Sequence, residues 1–126
     1  MTRVIAAEDC GNSPKNLFVA SLATAFAKGD TRFILGSVTD DIRWQIVGQQ
    51  LVQGKEAFAE ALQRMTCDKV AELTLGHVVT HGKAGAVNGT QKLEGGRTRA
   101  FCEVYEFSGA KGTRVSAITS YVIETK

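Results

Sequence analysis

The hydrophobic periodicity of this chain changes for good near Asp68, and that switch limits the fold more than any single residue does. Before it, apolar side chains recur at helical spacing except over Ile42 to Val47; after it they alternate throughout, as strands require. Alternating runs are expected at 70–81, 84–93, 97–108 and 113–124, separated by glycine turns at Gly82, at Gly95-Gly96 and from Gly109 to Gly112. The helical half opens at Ser13, a capping residue, with Pro14 suited to the first turn. Leu17, Phe18, Leu22, Ala25 and Phe26 give that helix its stripe, and Gly29 ends it. Asp30 caps a short second helix carrying Phe33, Ile34 and Val38, which gives way near Thr39-Asp40-Asp41. Ile42 to Val47 alternates as a half-buried strand, and Gly48 interrupts it. After Gly54 a third helix places Ala57, Phe58, Ala61, Leu62 and Met65 on one face. Helices first and consecutive strands afterwards predict an α+β fold in the order αα-β-α-ββββ, helices on one face of a mostly antiparallel sheet.

With 126 residues the chain makes one domain, 1–126, of which 1–12 read as a flexible lead. A chain of this size buries about two-thirds of its unfolded surface, enough for a core without staples. Fifteen Lys and Arg against thirteen Asp and Glu leave +2, which predicts neither a nucleic-acid nor an anionic-lipid partner. No apolar run approaches the ~20 residues of a membrane span. Cys10, Cys67 and Cys102 are odd in number and lack CxxC spacing, against both a disulfide framework and a zinc site. The opening MTRVIAAEDCGNSPKN has no secretory pattern, and a reducing cytoplasm is the expected compartment.

The stretch FAKGDTRFILGSVTDDIRWQIVGQQLVQGKEAFAEAL, with Gly29-Asp30, Asp41, Trp44, Gly48 and Gly54-Lys55, resembles the SnoaL-like branch of the nuclear transport factor 2-like superfamily, which also contains ketosteroid isomerases and limonene epoxide hydrolases. The tail CEVYEFSGAKGTRVSAITSYVI resembles the closing hairpin of that family. The resemblance implies a curved sheet wrapped by about three helices into a cone-shaped barrel (a cystatin-like fold) with an apolar pocket, as a homodimer through the sheet. It does not imply one chemistry.

An apolar cavity that holds a carboxylic acid suits acid or base work, because desolvation raises the pKa toward neutrality. On the strand at 97–108 one face carries Arg99, Phe101, Glu103, Tyr105 and Phe107. The resemblance puts Glu103 where ketosteroid isomerases keep the protonated Asp of their oxyanion hole; the structural alternative is an acid paired with Arg99 or another base near the sheet rim. The family's general base falls on Gln45 or Ile46 and its oxyanion Tyr on Leu22, so a steroid isomerase mechanism is not expected. Arg99 and Glu103 together loosely resemble the Arg and Asp of the epoxide hydrolases.

Candidate catalytic groups are therefore Glu103, Tyr105 and Arg99, and candidate pocket residues are Trp44, Gln45, His77, Asn88, Phe101, Leu22, Phe26 and Phe58. Trp44 is either a stacking wall or a core indole with its N–H satisfied. Asn88-Gly89 is either a ligand donor or a turn signal. His77 shares a strand face with Leu73, Leu75 and Val79, which predicts a core or pocket histidine; His81 falls at a turn. Four residues apart on a strand is about 13 Å, too far to share an ion, so no metal is assigned, and no cofactor either. Asp40 and Asp41 read as turn and capping residues, and no glycine group fits a phosphate loop. Two readings of function stay open. One is binding of a small, mostly apolar molecule with acid/base turnover of isomerase, cyclase, dehydratase or epoxide or lactone hydrolase type; the other is a dimeric ligand-binding or interaction domain without turnover. A transport-adaptor role rests on the superfamily alone.

Overall fold

A computed structural model describes residues 2–6, 13–49, 51–65, 68–109 and 114–125. Local chemistry sets the helix ends. In α1 (Pro14–Lys28) the Ser13 hydroxyl accepts the Asn16 N–H at 3.1 Å, and Gly29, at φ +73°, donates to the carbonyls of Ala25 and Phe26. The Asp30 carboxylate caps α2 (Thr31–Gly36) by accepting the Phe33 N–H.

Strand β2 (Val38–Ile46) begins earlier than its alternation suggests. Val38 pairs with Val115 and the ladder resumes at Arg43, with an irregular register between them. Asp40 and Asp41 therefore lie inside a strand and not in a turn: a long-range pairing recruits residues whose local preference is for a turn. Asp41 accepts from the Thr39 hydroxyl, and Asp40 lies 3.8 Å from the Lys55 ammonium. After Gly48 the chain returns as β3 (Leu51–Gln53), antiparallel to β2, and enters α3 (Lys55–Met65). In α3 Phe58, Ala61 and Leu62 are buried, whereas Ala57 faces solvent.

Four long strands follow: β4 (Val70–His81), β5 (Ala84–Leu93), β6 (Thr98–Phe107) and β7 (Val115–Thr125). With β1 (Arg3–Ala6) they make one sheet in the order β1-β4-β5-β6-β7-β2-β3. Two strands have no counterpart in the expected order. One is β3; the other is β1, which falls in the expected flexible lead yet pairs in parallel with β4 from Arg3 opposite Glu72 to Ala6 opposite Leu75. The β2–β7 pair is also parallel, and all other neighbours are antiparallel. The curved sheet does not close, since β1 and β3 are its edges.

Helices α1 and α3 cover one face, α1 against β4 and β5, α3 against β2 and β3, with α2 between them. Trp44, Phe58, Leu22 and Tyr105 are fully buried between the layers. The Trp44 ring meets Phe58 edge-on at 5.2 Å and Phe26 at 5.7 Å. None of the described helices covers the other face of the sheet. No described helix is long and apolar enough to cross a membrane.

The β4 ladder shifts register between Leu75 and His77. Leu73 and Leu75 point inward, and after the bulge Val78 does, so the alternation has moved by one residue. Gly89 opposite makes this possible: a Cβ there would sit 2.1 Å from the Thr74 carbonyl oxygen.

Candidate functional site

Strand β6 runs past the bulge-free centre of the sheet, so its alternation holds, and Phe101, Glu103, Tyr105 and Phe107 all face the helices and are buried. Above them is a cavity of about 340 Å³. Its walls are mostly apolar, from Phe26, Ile34, Leu62 and Phe101, with Val122 from β7. Gln49, Arg64, Asp68, Gln91 and Arg99 supply the rest of the polar lining, and Glu103 is the carboxyl buried within it.

Among the described residues no cation pairs with Glu103. Its Oε1 accepts from the Tyr105 hydroxyl at 2.7 Å and its Oε2 from the Ser120 hydroxyl at 2.8 Å. Ser120 lies directly opposite Glu103 on β7 and in turn accepts from the Trp44 indole N–H at 2.9 Å. Burial raises the Glu103 pKa above the ordinary 4.5, and the two hydroxyl donors pull against it with smaller effect. Tyr105 is pushed well above 10 by its own burial and by the Glu103 charge, so it remains a neutral donor. The result is a carboxyl that can hold or release a proton in a mostly apolar cavity.

The sequence-predicted residues separate into groups. Glu103, Arg99, Phe101 and Phe26 line the cavity. Tyr105 and Trp44 stand behind it in the hydrogen-bond chain, and Trp44 is a core indole with a satisfied N–H. Leu22 and Phe58 are core packing. Gln45 is half-buried and donates to the Ile46 and Gln49 carbonyls at 3.4 Å each, outside the cavity lining. The charge pair anticipated between Arg99 and Glu103 does not form. Arg99 donates to Gln91 at 2.7 Å and faces Asp68 at 3.6 Å, because its long side chain reaches the cavity rim, where Asp68 leads into β4.

His77 and Asn88 lie outside the site. The bulge turns His77 onto the helix-free face, exposed, where Asn88 Oδ1 accepts its backbone N–H at 2.8 Å and lies 3.1 Å from ring Nδ1. Cys102 is half-buried and free, while Cys10 and Cys67 lie outside the described residues. Residues that the sequence reading did not single out for the site are Ser120, Asp68, Gln91, Gln49 and Arg64. Only strand register could have revealed Ser120, and the length of the β6–β7 turn, which sets that register, is ambiguous in a stretch with two glycines.

Residues 19–116 match the profile of the SnoaL-like domain. The chain belongs to the SnoaL-like domain family. Solved structures similar to this SnoaL-like chain include a nuclear transport factor 2-like protein of unknown function from Cytophaga hutchinsonii, 26% identical, with a TM-score of 0.64 over 85% of this chain and 97% of the other. SalBIII, described as an epoxide hydrolase/cyclase-like enzyme in pyran ring formation in the polyether salinomycin, is 16% identical with a TM-score of 0.73, over 90% and 93% of the two chains. An LEH-like epoxide hydrolase from M. tuberculosis is 22% identical with a TM-score of 0.67, over 83% and 79%. The last two likenesses are of fold. No curated protein matches the SnoaL-like chain.

Proposed function

We propose that the chain binds a small, mostly apolar molecule in the cavity and that Glu103 exchanges a proton with it. The observation that carries this reading is a buried carboxyl with no cation partner among the described residues, held by two hydroxyls, in the wall of a mostly apolar cavity. Such a group is costly for stability alone, and a ligand-facing role explains its position. At about 340 Å³ the cavity suits a ligand at the small end of the usual range. One carboxyl that accepts a proton at one atom of a substrate and returns it at another supports isomerisation, cyclisation or dehydration. Epoxide or lactone opening additionally needs a placed water, for which the Asp68–Arg99 pair at the rim is the available polar group. The epoxide hydrolase and cyclase-like relatives in fold lend this class weight by analogy.

A thermal-shift screen of wild type and Glu103→Gln against ketones, enones, epoxides, lactones and polycyclic aromatics tests the reading. A class present at one hundred times its Kd adds about 2.7 kcal/mol to wild type and loses that effect in the variant. Stabilisation of neither protein by any class would defeat it and favour a domain without a ligand.

The helix-free face supports a second copy of the chain as partner. Cross-strand rows there run Val79–Ala86–Val104–Thr119 and His77–Asn88–Cys102–Tyr121, followed by Thr90–Ala100–Ile123. Val79, Tyr121 and Ile123 are 59%, 48% and 69% exposed, and Ala86, Val104, Cys102 and Ala100 between them are small or apolar, with His77 and Asn88 as the polar exceptions, a surface that suits a sheet interface. A reducing compartment such as the cytoplasm suits the free Cys102 at the centre of that face.

A further inference from the structure

Trp44, Ser120, Glu103 and Tyr105 come from three strands and form one buried hydrogen-bond chain whose direction follows from donor and acceptor chemistry. An indole N–H only donates, so at 2.9 Å Ser120 Oγ must accept from it. The Ser120 proton then has Glu103 Oε2 as its acceptor at 2.8 Å. Were a protonated carboxyl also to donate to Ser120, the serine proton would have no acceptor in a buried site. Tyr105 is in the same position: it is fully buried, and its hydroxyl donates to Glu103 Oε1 at 2.7 Å. Both carboxyl oxygens therefore receive protons from the protein and return none to it. What Glu103 has left is its unused lone pairs, beside the cavity that it lines.

Resting on the cavity reading above, we infer that the site selects ligands presenting a hydroxyl, phenol or enol O–H to Glu103, which accepts it as a third donor, with Ser120 and Tyr105 as positioning residues and Trp44 setting the direction of Ser120. When Glu103 is ionised, its two neutral donors leave room for another, since a carboxylate offers about four acceptor positions. The same geometry gives the first step of a reaction: Glu103 takes the ligand's O–H or activated C–H proton, the electron pair stays on the ligand oxygen or carbon, and the carboxyl later returns the proton. The charged groups that share the cavity are Arg64 from α3, Arg99 from β6 and Asp68 before β4; Arg99 is engaged by Asp68 and Gln91. On β5 the residue opposite Glu103 is Val87, and on β7 it is Ser120, so no second titratable group faces the carboxyl from the neighbouring strands.

The test is a matched pair of probes, 2-naphthol and 2-methoxynaphthalene, measured by calorimetry with wild type, Ser120→Ala, Tyr105→Phe and Glu103→Gln. At a pH where the carbon-13 titration shows Glu103 ionised, wild type is expected to prefer the naphthol by about tenfold, as one hydrogen bond to a charged acceptor allows. Glu103→Gln should bring the two probes to within about threefold, and Ser120→Ala should reduce the preference while retaining the methoxy compound. In carbon-13 NMR, the Glu103 carboxyl should titrate at higher pH in Ser120→Ala than in wild type, which loss of packing alone would not produce. Equal binding of both probes, or preference for the methoxy compound, overturns the donor inference and leaves the cavity reading intact. Binding of neither probe overturns both, and an unchanged carboxyl titration in both Ser120→Ala and Tyr105→Phe removes the positioning role.

Discussion

Replacing Glu103 by Gln should change how stability depends on pH, with a sign fixed by the burial of the carboxyl. Burial outweighs the two hydroxyl donors, so the folded chain holds the Glu103 proton more tightly than the unfolded chain does, with a pKa above 4.5. Below the unfolded value both states are protonated and the native state keeps its full stability. As pH rises from there to the folded value, the unfolded state ionises first. Native stability is lost over that window at up to about 1.4 kcal/mol per pH unit, and beyond the folded value there is no further change. Gln does not titrate, so the slope disappears in the variant. Gln also carries an amide N–H₂ where Tyr105 or Ser120 donates, leaving one hydroxyl without an acceptor at a cost of about 1–3 kcal/mol that does not vary with pH. Urea denaturation of both proteins from about pH 4.5 to 8, extrapolated to water, isolates the effect as a difference in which the other titrating groups cancel. Wild type should be the more stable at the acid end, and its advantage should shrink toward neutrality. A difference that stays constant, or grows with pH, would refute the reasoning, the latter by showing that the Tyr105 and Ser120 donors outweigh desolvation.

Gly89→Ala places a Cβ 2.1 Å from the Thr74 carbonyl oxygen and should cost about 3 kcal/mol or more in urea denaturation, whereas Gly95→Ala, with nothing within 4 Å of its Cβ, should change stability by less than about 0.5 kcal/mol. Light scattering should give a particle of about 27 kDa, twice the 13.5 kDa of the chain, and Ile123→Asp on the helix-free face should halve it; a wild-type monomer would remove the proposed sheet interface.

Legibility followed the range of the interactions. Glu103 was legible from face parity together with the family resemblance, and the parity holds because no bulge interrupts β6 between Thr98 and Glu106. The same rule failed for His77, two strands away, because the register shift after Leu75 turned it outward, and a glycine at position 76 does not by itself announce a bulge. Asp40 and Asp41 have turn preferences that the β2–β7 pairing overrides. The edge strand β1 is four residues long with no alternation deep enough to distinguish it from a loose lead, and β3 is shorter still.

The sequence by itself determined what nearest neighbours decide: the Ser13 and Asp30 caps, the Gly29 stop, the switch from helical to alternating period, and the inward face of β6. These depend on hydrogen bonds and side-chain directions within a few residues of chain. Only the tertiary structure decided the company that Glu103 keeps. Ser120 is seventeen residues away and Trp44 is seventy-six residues from Ser120, and parallel pairing of β2 with β7 brings the indole to the hydroxyl. It also took Arg99 away, because Asp68 and Gln91 hold the guanidinium at the rim. A carboxyl's protonation depends on every donor and charge within a few ångströms, and those are assembled by strand register, which no local preference encodes.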